Sequence, residues 1–69
     1  MSIFKTKAWD PSDIVRTTVY EGDNPKVADA IYNQLCNRGT KQISQVWEVG
    51  EEGEEDQLLY HHRKEPPTR

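Results

Sequence analysis

Apolar positions along the chain follow two rhythms. Between residues 24 and 39, NPKVADAIYNQLCNRG, Val27, Ala28, Ile31 and Leu35 recur at spacings of three and four, with Lys26, Asp29 and Asn33 on the opposite side. That spacing predicts an amphipathic helix. Its boundaries are written in the same stretch. Asn24 can cap the first turn, and Pro25 stands where a missing N–H costs nothing. Arg38 suits the negative end of the helix dipole, and Gly39 can take the left-handed conformation that closes a helix.

Elsewhere the rhythm is two. IVRTTVY, residues 14–20, is rich in β-branched side chains and alternates Val15, Thr17 and Val19 with Ile14, Arg16, Thr18 and Tyr20. KQISQVWEV, residues 41–49, places Ile43, Trp47 and Val49 on one face and Val46 on the other, and QLLYHHR, residues 57–63, reads as a further strand. The GEEGEED between them offers two glycines for a hairpin turn. Residues 1–13, MSIFKTKAWDPSD, form an N-terminal arm with apolar anchors at Ile3, Phe4 and Trp9 and a turn signal at Asp10-Pro11-Ser12-Asp13. The arm is either an extra edge strand or a tail docked by its aromatic residues. Residues 64–69, with two prolines, read as a flexible tail.

The expected fold is thus α+β: a single strand-helix-strand-strand domain over residues 14–63, one helix packed on a three-stranded sheet. Parallel first and second strands would make the helix a right-handed crossover. In this arrangement Val15, Val19, Ile43, Trp47 and Val49 meet the helical stripe. Ile14, Tyr20, Val46 and either Leu59 or Leu58 with Tyr60 then point away. That outward patch is more apolar than a solvated face should be, which suggests cover by the arm, a protein partner or a second copy in a homodimer.

Size sharpens the point. A chain of 69 residues hides only about 60% of the surface its unfolded form exposes, so it is marginal as a monomer. Cys36 is the single cysteine, so no internal disulfide can help, and a lone thiol fits a reducing compartment such as the cytoplasm. No signal peptide is visible, and no apolar run approaches the length of a membrane span.

The formal charge of −3 hides an uneven distribution. Residues 48–56 carry six of the twelve carboxylates, while the remainder has nine bases against six acids. The acidic loop of Glu51, Glu52, Glu54, Glu55 and Asp56 is either a solvated hairpin tip that discourages sheet edges from associating, or a negative prong that docks on a basic surface. With Trp47, Tyr60 and Tyr20 as aromatic anchors, these are the candidate partner-binding residues. No catalytic residues, metal ligands or cofactor are expected. His61 and His62 are adjacent in a strand and face opposite ways, so they cannot chelate one ion. Cys36 borders the apolar stripe as a packing residue. The loop lacks the alternating oxygen ligands of a calcium site, and its charge would repel a phosphate.

These features together suggest a small non-enzymatic regulator or inhibitor of the kind phages use to modulate a host, binding a protein through the acidic loop, the open sheet face or both. The alternative is a weak nucleic-acid-binding accessory protein using the basic body and the tail cations Arg63, Lys64 and Arg69, with Trp9 or Tyr60 stacking on a base. The net acidity disfavours that alternative.

Overall fold

Ile3, Lys5, Lys7 and Trp9 alternate with Phe4, Thr6 and Ala8, and this period of two is where the fold begins. In the computed structural model, which describes residues 2–64, Ile3–Trp9 forms strand β1. It is followed by β2 (Thr17–Gly22), helix α1 (Pro25–Arg38), β3 (Ile43–Val49) and β4 (Gln57–Arg63). The strands make one sheet in the order β2-β1-β3-β4, with every neighbouring pair antiparallel. One helix on one sheet is the expected α+β architecture, but the sheet has four strands. The arm is a strand, and it lies at the centre of the sheet rather than at its edge. β2 and β3 run parallel to each other with β1 between them, so the helix connection passes over β1.

The strand expected at residues 14–20 is shifted to Thr17–Gly22. Pairing between β1 and β2 stops at Ala8–Thr17, and β1 itself ends at Trp9. The ladder therefore does not reach Ile14–Arg16, and Ile14 is fully exposed despite its β-branched shape. The loop before them is held at its base. The Asp10 carboxylate accepts from the Gln42 N–H at 3.0 Å, and Lys41 pairs with Asp10 and Asp13 at 3.7 and 3.4 Å. Asp13 in turn accepts from the Asp10 N–H at 3.0 Å. That bond, aided by Lys41, holds the Asp13 carboxyl below its ordinary value.

The helix forms as its sequence dictates. Asn24 accepts from the N–H groups of Lys26 and Val27 at 3.0 and 3.4 Å, and Pro25 opens the first turn. Gly39 closes the last turn with its N–H on the Leu35 carbonyl, but in an extended conformation (φ −68°, ψ 153°) rather than the left-handed one. Glycine is still required there, because a Cβ would lie 2.6 Å from the Leu35 oxygen. Beyond the helix, Lys64 ties the chain back: its N–H donates to the Gln42 carbonyl at 2.8 Å and its ammonium to Gly39 O. The remainder of the 64–69 tail lies outside the described residues.

The helix settles the orientation of the sheet. Thr6 donates its hydroxyl to the Ala28 carbonyl, and the Tyr32 ring stacks on Tyr60 at 5.6 Å. The row Tyr20–Thr6–Val46–Tyr60, paired across all four strands, therefore faces the helix. The row Thr17–Ala8–Ser44–His62 lies beside it. Thr6, Ala8, Ala28, Ser44 and Val46 are buried. This reverses the expected facing of β3: Val46 meets the helix, and Ile43, Trp47 and Val49 turn away. Small side chains explain the choice. An alanine on the helix over threonine, alanine and serine on the sheet lets the two backbones approach closely enough for a side chain to bond a helical carbonyl. A row with two tryptophans would hold them apart.

Both edge strands are irregular. In β2, Val19 is an extra residue between Tyr20 and Thr18, and in β4 Leu59 is extra between Tyr60 and Leu58. Bulges of this kind twist an edge and interrupt its hydrogen-bonding row, which disfavours edge-to-edge growth of the sheet.

Candidate binding face

The sheet face free of the helix carries three cross-strand rows. Glu21, Lys5, Trp47 and Leu58 form the first, Thr18, Lys7, Gln45 and His61 the second. Trp9, Ile43 and Arg63 form the third, and Ile3 beside Val49 completes the end nearest the acidic hairpin. No strand or helix among the described residues lies over this face. At its centre Gln45 is buried among its neighbours, and at its far end the Arg16 guanidinium sits 4.9 Å from the centre of the Trp9 ring. Arg16 reaches it from the loop that failed to become strand. Under that cover Trp9 and Ile43 are buried, whereas Trp47 is half-buried and Leu58 is 46% exposed.

The centre of the face is organised by one amide. Gln45 accepts at Oε1 from the Trp47 indole N–H at 2.8 Å, and its Nε2 lies 2.9 Å from His61 Nδ1. An indole can only donate, so the Gln45 oxygen must face Trp47 and its NH₂ must face the histidine. His61 Nδ1 is then the acceptor, which assigns the neutral ring with its proton on Nε2. The indole edge and the imidazole are thus oriented before any ligand arrives.

Charge on the two sides differs. Lys5, Lys7, Arg16 and Arg63 all belong to the helix-free side, with Glu21 as the single carboxylate in its rows. Among the described residues the only ion pairs are those of Lys41 with Asp10 and Asp13. None of the four cations of the face has an ion-pair partner among the described residues, although Arg16 is stacked on Trp9.

The acidic loop forms at the hairpin tip and is exposed throughout residues 51–56. Gly53 supplies a positive φ of 87°, and the Glu54 N–H donates to the Glu51 carbonyl at 2.8 Å. Gly50 is needed for a different reason: a Cβ there would meet the carbonyl oxygens of Glu54 and Glu55 at 2.5–2.6 Å. Asp56 is partly engaged, since it accepts from the Gly50 N–H at 2.9 Å. Beside the loop a shallow pocket of about 320 Å³ is lined by Ser2, Glu48, Gly50, Glu51, Glu54 and Gln57 among others. Among the described residues no three His, Cys, Asp or Glu side chains converge as a metal ion would need.

The expected contact residues do not assemble into one surface. Glu51, Glu52, Glu54, Glu55 and Asp56 stand at the tip, and Trp47 lies on the helix-free face. Tyr20 and Tyr60 lie on the helix side at opposite edges of the sheet. The Tyr20 hydroxyl accepts from the Asn24 N–H at 3.4 Å, and Tyr60 is stacked on Tyr32, so both serve the packing of the helix. Burial, then the neighbouring Cys36 thiol and Tyr60, push the Tyr32 hydroxyl up to about 12. His61 and His62 fall on opposite faces, His61 with Gln45 and His62 with Ser44. Lys5, Lys7 and Arg16 had no expected role on this face. The alternation Ile3-Lys5-Lys7-Trp9 is the signal that puts the first two on one side of a strand.

Comparison with protein-family models, with curated proteins and with solved structures found no match. The class that stands is a small antiparallel α+β domain with its one helix on one face of the sheet and no strand or helix among the described residues on the other.

Proposed function

We propose that this chain is a non-enzymatic binding module, a regulator or inhibitor, and that its contact surface is the sheet face free of the helix. One observation carries the reading: Trp47, Leu58, Val49 and Ile3 stand together on that face with no strand or helix among the described residues over them. An antiparallel sheet with one solvated face ordinarily alternates apolar-in with polar-out. Here the larger apolar side chains are on the outside, and half-buried aromatic residues in such a patch are the usual anchors of an interface.

A protein partner is the first reading of what the face holds, with the acidic hairpin beside it steering a basic surface into place. The placement of Lys5, Lys7, Arg16 and Arg63 favours a second reading, in which the ligand is an anion.

Affinity capture from the native host lysate tests the face itself. The bait would be the chain, a face variant (Trp47→Ser with Leu58→Ser) and a hairpin variant with Glu51, Glu52, Glu54 and Glu55 changed to Gln. The reading expects a protein or nucleic acid retained by the first and third and lost by the second, with circular dichroism confirming that all three are folded. Retention lost only in the hairpin variant would move the contact surface to the loop. Retention equal in all three would refute both.

A further inference from the structure

We infer that the helix-free face binds single-stranded nucleic acid, laid over Lys5, Lys7, Gln45, His61 and Trp47 and away from the acidic hairpin. The inference rests on reading that face as the contact surface and names its ligand.

Charge selects the occupant. A second copy seated by two-fold symmetry would set this patch against itself, since such interfaces bury the same surface on both subunits. A cluster of Lys5, Lys7 and Arg63, with Glu21 as its single carboxylate, would then be buried against an equally cationic cluster. A polyanion meets the same groups favourably. Lys5 and Lys7 project about 6.7 Å apart from one strand, and Arg63 lies two strands away, about 9.5 Å across the sheet. The cations thus form a band across the strands rather than a point. None of the four is tied up in an ion pair among the described residues.

The rest of the face suits a base rather than a phosphate alone. Trp47 presents a half-buried ring whose edge is fixed by Gln45, and stacking on aromatic faces accepts any base. His61, held by the same amide, keeps its Nε2–H for an acceptor on the ligand. Duplex hides its base faces, so a sheet face with an accessible indole and spaced cations discriminates in favour of single strands. Net negative charge does not oppose this arrangement, because the carboxylates of residues 51–56 gather at the hairpin tip beyond Ile3 and Val49, while Lys7, Arg16 and Arg63 sit at the other end. The hairpin sets the limit of the strand's path on one side by repulsion.

The test is fluorescence anisotropy of labelled oligothymidine and oligouridine of about 16 nucleotides, with duplex of equal length, titrated with the full chain. Saturable binding to the single strands is expected, weaker for duplex. The salt slope should be about −2 to −3 on logarithmic axes, as for three or four phosphate contacts by a single strand. Lys5→Gln with Lys7→Gln should reduce that slope by about 1.4. Trp47→Leu should weaken binding on the order of tenfold. Neutralising the four hairpin glutamates should leave binding intact or tighten it. The lysine variant keeps the test decisive if Trp47→Leu fails to fold, because both lysine side chains are partly exposed.

Absence of saturable binding, or binding indifferent to the lysine pair, overturns the inference. So does salt-sensitive self-association in sedimentation that is lost in the hairpin variant, which would make the acidic tip of another copy the occupant. Should oligonucleotides fail while the lysate capture still depends on Trp47 and Leu58, the ligand is a protein and the face remains the contact surface. Should both fail, the face is not a contact surface at all.

Discussion

The Thr6 hydroxyl donates to the Ala28 carbonyl at 3.1 Å across 22 residues of chain, with both residues fully buried. It ties the helix directly to the central strand β1. Thr6→Val keeps the volume and removes the bond. Because the helical carbonyl retains its own position in the ladder, the cost should be at the ordinary level for one hydrogen bond, about 0.5–1.5 kcal/mol. In a domain of this size each kcal/mol lowers the Tm by roughly 4–8 °C. Ala28→Val should cost more, about 1–3 kcal/mol, because it forces the two layers apart. Thermal denaturation of the two variants checks the order.

Ser44 makes the opposite case. It is buried beside Ala8 and His62, and its hydroxyl has no hydrogen-bond partner among the described residues. A buried polar group without a partner costs about 1–3 kcal/mol. Ser44→Ala should therefore raise the midpoint of urea unfolding while leaving its slope unchanged. A lower midpoint would mean that the hydroxyl is satisfied in solution.

Alkaline pH should unfold the chain through Tyr32. Its hydroxyl ionises near 10.0 when unfolded but is pushed up to about 12 in the fold. The neutral form is the one the structure favours, so the stability it contributes is fully present below pH 10 and is lost as pH rises towards about 12. Tyrosinate absorbance and far-ultraviolet circular dichroism should show late ionisation of one tyrosine together with loss of structure. Tyr32→Phe, which keeps a ring to stack on Tyr60, should remove that part of the alkaline slope.

On the other face the Gln45 amide links two rings: its Oε1 accepts from the Trp47 indole N–H at 2.8 Å and its Nε2 lies 2.9 Å from His61 Nδ1. In a Trp9→Phe background, Gln45→Leu should shift the remaining indole emission by removing the indole's acceptor, and His61→Ala should shift it in the same direction but less. Emission unchanged in both variants would break the link from imidazole to indole.

Much of this fold was legible because its signals were local. Asn24, Pro25 and Arg38 sit within a turn of the helix ends they mark, and the glycines at 50 and 53 sit in the hairpin they permit. The facing of the sheet was not legible. Alternation divides β3 into Ile43, Gln45, Trp47 and Val49 against Ser44 and Val46, but it does not say which set meets the helix. Hydrophobic weight pointed to the tryptophan side, whereas the close approach of Ala28 to Thr6 required the small side. The strand at residues 14–20 failed for a related reason: β propensity at Ile14 and Val15 has no effect where the neighbouring strand has ended. Alternation does place Trp47 on the opposite face from Tyr20 and Tyr60, as the pairing register has it, but with the two faces interchanged.

The central place of β1 also shapes how the molecule comes into being. Its residues emerge in synthesis about forty positions ahead of the β3 residues that cover its second side. Until Ile43–Val49 arrive, the nascent chain has a two-stranded ribbon whose inner strand offers an unpaired row of amides and carbonyls. Such rows recruit any matching segment within reach. A fragment ending before Ile43, or a chain whose β3–β4 hairpin peels away, therefore exposes the seam through which two molecules would trade strands.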